Sequence, residues 1–262
     1  MLKLLPVFLI WLGMVSPLAG ETKPQTSPPL RNITKDMGLI PGGTFQMGCD
    51  KFGPKHGAPA HTVYLDDFMI DKYEVTNKQF EEIIPDHRLR RSRFSDCDNC
   101  PVTKVTWYDA TDYCYLIGKT LPTEAQWEKA TGAANGCEFP WGPRFDPAHP
   151  QAHAGLKLKD KASPVGSYPP NKYGIYDLAG NVWEWMANWF SPNSHSKTEI
   201  KNNPRGPLKG EVKTRRGGSW SDSIIAMNAG YRDWSYPFSR SLNDVGFRCA
   251  INLKSNGKPN RN

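Results

Sequence analysis

The sequence predicts one α+β domain of irregular, loop-rich character, with little regular secondary structure. Three observations carry this. Glycine and proline number 23 each in 262 residues, and aromatics make up 11%, a composition suited to turns held by aromatic packing and not to a long helical bundle. A hydrophobic content of 38% is enough for one sizeable core. Short alternating runs and short helical runs occur without any internal repeat.

Residues 1–20, MLKLLPVFLIWLGMVSPLAG, combine Lys3, an apolar run from Leu4 to Val15 and small residues at Ala19 and Gly20. This reads as a secretory signal, too short for a comfortable membrane span; an uncleaved anchor is the rival reading. No cysteine precedes Cys49, so a lipid anchor on a cleaved N-terminal cysteine is not expected. Residues 21–37 are polar and Pro-rich and read as a flexible lead-in. Asn32-Ile33-Thr34 forms a glycosylation sequon.

The folded domain is expected over 38–252. A Pro-Gly-Gly turn precedes an alternating strand, Thr44 to Met47. In HTVYLDDFMIDKYEVT, Val63, Leu65, Phe68 and Ile70 form an apolar set. TNKQFEEII predicts a short helix. Thr106 caps a second, with Trp107, Ala110, Cys114 and Ile117 along one face. Thr123 and Gln126 form a capping box that opens a third. Beyond Cys137 the chain is mostly turns. Residues 253–262 form a basic tail.

An exported chain reads its cysteines as disulfides. The six are Cys49, Cys97, Cys100, Cys114, Cys137 and Cys249. A zinc site at Cys97 and Cys100 is the rival, but no second ligand pair follows at suitable spacing. The formal charge of +7 lies partly in the tail and in LKLKDK. Neither has the aromatic interleaving of a nucleic-acid site, so a solvated surface or an acidic partner is expected, and no nucleic acid.

PGGTFQMG, KYEVTNKQF, PVTKVTWYDATDYCYLIGKTLPTEAQWEKAT, FPWG, YGIYDLAGNVWEW, RRGGSW and DVGFRCA follow one another in this order. Together they resemble the sulfatase-modifying-factor family, the formylglycine-generating enzyme domain, over about Gly38 to Asn252. The resemblance implies one compact domain, distantly like a C-type lectin. In the family's catalytic members two thiols after Gly-Gly-Ser bind copper(I). Here Asp222 and Met227 stand at those positions. A carboxylate is hard and a lone thioether replaces a thiolate poorly, so copper and formylglycine generation are not expected. The resemblance joins Cys114 to Cys249 and shows a second family bridge replaced at both ends, by Thr131 and Arg232. For the other four cysteines the pairing stays open: a tight loop of Cys97 with Cys100, leaving Cys49 with Cys137, is one of the available connectivities.

The resemblance also implies calcium at DLAGNVWE, through the side chains of Asp177 and Glu184 and the carbonyls of Gly180 and Val182. The alternative is a turn in which Asp177 caps a helix and Glu184 pairs with an arginine. The family's second calcium site is not expected here, since Ala154 and Lys157 stand near its ligand positions, although Asp160 is close. His149, His153 and Asp146 lie in a proline-broken loop and read as solvated. Trp107, Trp127, Trp183, Trp185 and Trp220 read as core.

Two functions follow. One is an exported scaffold, periplasmic or secreted, with no membrane span after signal cleavage. It would bind a peptide or protein partner in a cleft of Ser219, Trp220, Tyr231 and Arg232. The other is an oxygen- or metal-dependent oxidoreductase of the siderophore-maturation type. Its candidate residues are Ser219, Asp222, Tyr231, Arg232 and Asp233, with a buried Asp222 as base. A sugar-binding module rests on fold analogy alone.

Overall fold

A strand sandwiched between the two ends of the chain closes the domain. β1 (Met37–Ile40) pairs antiparallel with one edge of β4 (Phe68–Asp71), and β10 (Ala250–Asn252) pairs with the other. Phe68 and Ile70 point inward from β4 and are buried, as alternation requires. Contacts flank both β1 and β10: the Asp36 carbonyl accepts from Lys72 N–H at 2.8 Å, and Leu253 N–H donates to the Asp67 carbonyl.

The computed structural model describes residues 33–53, 56–144, 160–195 and 201–253. The signal segment 1–20, Asn32, Asp146, His149, His153, Ala154, Lys157 and tail residues 254–262 lie outside them. Among the described residues no helix is long and apolar enough to cross a membrane.

A second sheet joins β2 (Gly43–Met47) antiparallel to β3 (His61–Leu65), with β6 (Lys201–Asn202) parallel to β3. Three short helices follow one rule. α1 (Asn77–Ile83), α2 (Trp107–Leu116) and α3 (Glu124–Ala130) each start at a threonine whose hydroxyl accepts from the third helical N–H. The side chain at that third position returns the bond to the threonine N–H. The pairs are Thr76 with Gln79, Thr106 with Asp109 and Thr123 with Gln126. Each box satisfies otherwise orphaned donors, and such a cap contributes about 1 kcal/mol. α2 buries Ala110 and Cys114 and exposes Tyr108 and Tyr115.

The third sheet runs in the order β8 (Arg232–Ser235), β7 (Lys213–Arg216), β5 (Trp183–Trp189), β9 (Val245–Gly246). β5 is buried on both faces. Trp183 and Trp185 pack with Val105 and Phe247, whereas Met186 joins Trp127 of α3 in the other core. This explains an apolar run with no simple alternation. Lys213 of β7 lies 3.7 Å from the ring centres of both Trp107 and Trp189, and burial lowers its pKa to about 8.

Buried ion pairs tie α3 to this sheet. Arg232 donates to both oxygens of Glu124, at 2.7 and 2.8 Å. Arg216 donates to Glu124 at 3.2 Å and also to Glu128. Burial alone would raise the Glu124 pKa, but Arg232 and Arg216 outweigh it and hold it at about 2. Three disulfides join Cys49 to Cys137, Cys97 to Cys100 and Cys114 to Cys249. Cys97 and Cys100 therefore offer no thiolates to zinc, and the chain has no free cysteine.

Two stability outcomes are expected. Replacing Cys114 and Cys249 with alanine should destabilise the fold by about 2–5 kcal/mol in denaturant titrations, and an unchanged midpoint would contradict the bridge's role. Glu124 is held below its unfolded value of about 4.3, so its contribution is full above that pH and fades as pH falls towards 2. Glu124→Gln should cost about 3–5 kcal/mol at neutral pH by stranding buried arginine. It should also flatten the loss of stability between about pH 4.5 and 2. Parallel wild-type and variant curves across that window would refute this.

Candidate functional site

At the end of β7 the chain turns through Gly217 and Gly218, both at positive φ (100° and 71°). A side chain at Gly217 would press on Trp127, 3.2 Å from the added carbon. The turn buries Ser219 completely. Its Oγ donates to Asp222 Oδ2 and lies 3.2 Å from Asp244 Oδ2 and 3.0 Å from Ser221 Oγ. A hydroxyl carries one proton, so Ser219 serves one of the two carboxylates at a time. Asp222 Oδ2 also accepts from Trp183 Nε1 at 2.8 Å. Burial raises the Asp244 pKa, the Asp222 charge adds to the shift, and Arg215 opposes it.

Aromatic groups line this cluster. Tyr231 stacks on His56, with centroids 4.8 Å apart and planes at 11°, and meets Phe52 edge-on. It lies 6.4 Å from Trp183. The Arg215 guanidinium sits 4.6 Å above the Trp183 ring and pairs with Asp233 at 2.7 Å. Burial, with Asp233 and Asp222, raises the Tyr231 phenol. A donor, two acids, a phenol and a cation over an aromatic floor can orient a polar ligand and move a proton.

Of the residues expected here, Ser219, Asp222, Tyr231 and Asp233 come together. Asp222 is half-buried, more open than the buried base expected. Trp220 turns away to stack on Phe94, with centroids 4.9 Å apart. Arg232 is not a cleft residue. Strand side chains alternate, so Tyr231 and Asp233 face the cluster while Arg232 faces α3 and its Glu124. Met227 is fully buried with Phe139 and Ala179. Asp244, Arg215, Trp183 and His56 were not read as site residues, although Asp244 and Arg215 open two of the quoted motifs.

The DLAGNVWE turn curls through Asp177, Gly180 and Asn181, all at positive φ. Asp177 Oδ2 accepts from Gly166 N–H at 2.6 Å. Glu184 takes a two-pronged bond from Arg248 at 2.8 Å on each oxygen, plus Trp127 Nε1 at 3.0 Å. Glu74 stands beside them and accepts from Asn181 at 2.6 Å. Burial, then Asp177 and Glu184, raises the Glu74 pKa well above the usual carboxylate range. Burial lifts Asp177 to about 6 against the Gly166 bond. Three buried acids thus face one arginine, an excess that suits a hard cation with oxygen ligands. Carboxylate oxygens retain lone pairs beyond those used by Arg248. No three His, Cys, Asp or Glu side chains converge as a metal cluster among the described residues. Asp160 is exposed.

Residues 22–253 match the sulfatase-modifying factor enzyme 1-like domain. The chain is 31% identical to a formylglycine-generating enzyme of Thermomonospora curvata, covering 87% of this chain and 96% of that protein. It is 34% identical to a protein of Chlamydia pneumoniae named serine/threonine-protein kinase pkn1, covering 90% of this chain but only 40% of the relative's length. Among solved structures, Treponema denticola variable protein 1 matches with TM-score 0.71 and 24% identity, covering 82% of this chain and 94% of that one. PvdO from Pseudomonas aeruginosa matches with TM-score 0.65 and 26% identity, covering 83% and 94%. The chain belongs to the sulfatase-modifying factor enzyme 1-like family, the family of the formylglycine-generating enzymes.

Proposed function

We propose that this protein is an exported binding scaffold that does not generate formylglycine and holds a peptide or protein partner at the Ser219 cleft. The observation that carries this is the Asp222 carboxylate. It stands at the first thiol position and is tied to Ser219 and Trp183 Nε1. The second position, Met227, is sealed in an apolar cluster. Neither supplies the thiolate that copper(I) prefers. Three disulfides with no free thiol suit an oxidising compartment, periplasmic or secreted.

The second reading is an oxidoreductase of the siderophore-maturation type, working by acid–base steps through Asp222, Asp244 and Tyr231. The shared Ser219 hydroxyl favours it, because two acids competing for one proton are suited to proton transfer.

Calcium belongs to the same proposal. Asp177 and Glu184, with the carbonyls of Gly180 and Val182, would hold the ion and neutralise the acid excess of the turn. It would supply structural order and no redox chemistry.

Two outcomes are expected. Incubated with copper(I), oxygen and a sulfatase-type CxPxR peptide, the protein should leave the peptide cysteine intact by mass spectrometry; conversion above a no-enzyme control would overturn the scaffold reading. A product from a different substrate that is lost in Asp222→Asn would favour the second. Calcium should raise the melting temperature by mass action, and Asp177→Asn should abolish that rise while leaving the chelator-treated protein no less stable. Glu184→Gln is the poorer probe, because it also breaks the Arg248 pair. A calcium shift equal in wild type and Asp177→Asn would eliminate the site.

A further inference from the structure

On the opposite side of Arg232 from the Ser219 cluster lies a cavity of about 550 Å³, within the range of ligand sites. Its wall includes His61, His195 and Met47. Both histidines are more than nine-tenths buried. Their rings lie 4.5 Å apart between centroids, tilted by 56°.

The tautomers follow from the partners. His61 Nδ1 faces the Pro59 carbonyl at 3.1 Å, and His195 Nδ1 faces the Gly57 carbonyl at 3.0 Å. A carbonyl oxygen only accepts, so each Nδ1 carries the proton and each Nε2 keeps a lone pair. His195 Nε2 is buried without a hydrogen-bond partner among the described residues, which is costly unless something fills it. A metal-bound imidazole has this same form, with its far N–H donated to a carbonyl. Gly48 helps build it: an added carbon there would lie 3.0 Å from His195 Nδ1 and 2.3 Å from the Gly57 oxygen.

The spacing also fits. Imidazole nitrogens bind zinc at about 2.0–2.1 Å, which puts two ring centres about 4.5–5.2 Å apart for bond angles of about 90–109°. Met47 is the register partner of His61 across β2 and β3 and lines the same cavity, so its side chain neighbours the pair. Glu124 lines the same wall but is occupied by Arg232 and Arg216.

We propose that His61 and His195, with the Met47 thioether beside them, form a binding site for a borderline divalent transition metal. Imidazole suits zinc, nickel and copper(II), with copper(II) bound most tightly. Two or three protein ligands leave coordination positions open to the cavity. Lys201 and Arg205 on the same wall favour an anion or hydroxide there. The site is separate from the two positions at which the family's thiols hold copper(I), and it stands or falls independently of the Ser219 cleft.

The test uses untagged full chain titrated with copper(II) alone, read by isothermal calorimetry and by electron paramagnetic resonance. One ion per chain should bind, with superhyperfine structure from two imidazole nitrogens, and excess zinc should compete. Asparagine places a donor where Nδ1 stood and lacks Nε2, so His61→Asn and His195→Asn keep the carbonyl bonds and remove the ligands. Each should weaken binding at least 10-fold with circular dichroism unchanged. A His149→Ala/His153→Ala variant should bind as wild type. Unaltered binding in both asparagine variants, loss in the His149/His153 variant, or no two-nitrogen signal in the wild-type protein would each overturn the site. The last criterion holds even if the asparagine variants do not fold.

Discussion

Three arginines with no solvent exposure, Arg216, Arg232 and Arg248, organise the described fold. Each reaches a buried glutamate, and each also donates to main-chain carbonyls of loops. Arg232 holds Ser191, Arg216 holds Ala229, and Arg248 holds Lys72 and Tyr176. Desolvating such charges costs several kcal/mol per ion, and that is offset only when the donors are nearly all satisfied. Arg216 Nε lacks a partner, so its position is the least fully compensated of the three. In a chain with few long ladders, these forks do the work of a larger sheet: they fix segments far apart in sequence at one angle to one another.

Both candidate sites hang from this lattice. Tyr231, just before β8, and Asp233 on it lie at the Ser219 cluster while Arg232 between them turns to Glu124 of α3, so one short run of chain serves the cluster on one side and the wall of the His61–His195 cavity on the other. The pair His56 and Gly57 bridges them. His56 stacks on Tyr231 and meets the Arg232 carbonyl at 3.1 Å, while the next residue's carbonyl receives His195. A change that moves this segment would be felt on both sides. The DLAGNVWE turn is coupled as well, because Trp127 of α3 donates to Glu184 while Arg216 lies over its ring, 5.4 Å from the centroid.

Asp222, which the family resemblance sets at a thiol position, sits in this frame as a hydrogen-bonded carboxylate. The carboxylate is held by a hydroxyl and an indole N–H, partners that a hard anion takes readily. Asp244 adds a second acid whose neutral form is favoured by burial. On the proposed function, this place on the scaffold serves hydrogen bonding and not copper(I) chemistry.

The sequence by itself determined the short-range features. Three threonines with an acceptor side chain three residues on specify three helix starts, because a capping box closes within one turn. Alternation placed Val63, Leu65, Phe68 and Ile70 inside, and the ordered motifs carried the family and the Cys114–Cys249 pair. Tertiary structure decided what depends on contacts between distant segments. It put Arg232 in an ion pair and out of the cleft, because the phase of an edge strand relative to its sheet cannot be read from a run of RDWS. It brought Asp244 to Ser219, and it set His195 beside His61 by a hydrogen bond from His195 to the Gly57 carbonyl, 138 residues away. No local period encodes such meetings. They follow from the way buried charges must find partners once the core has closed.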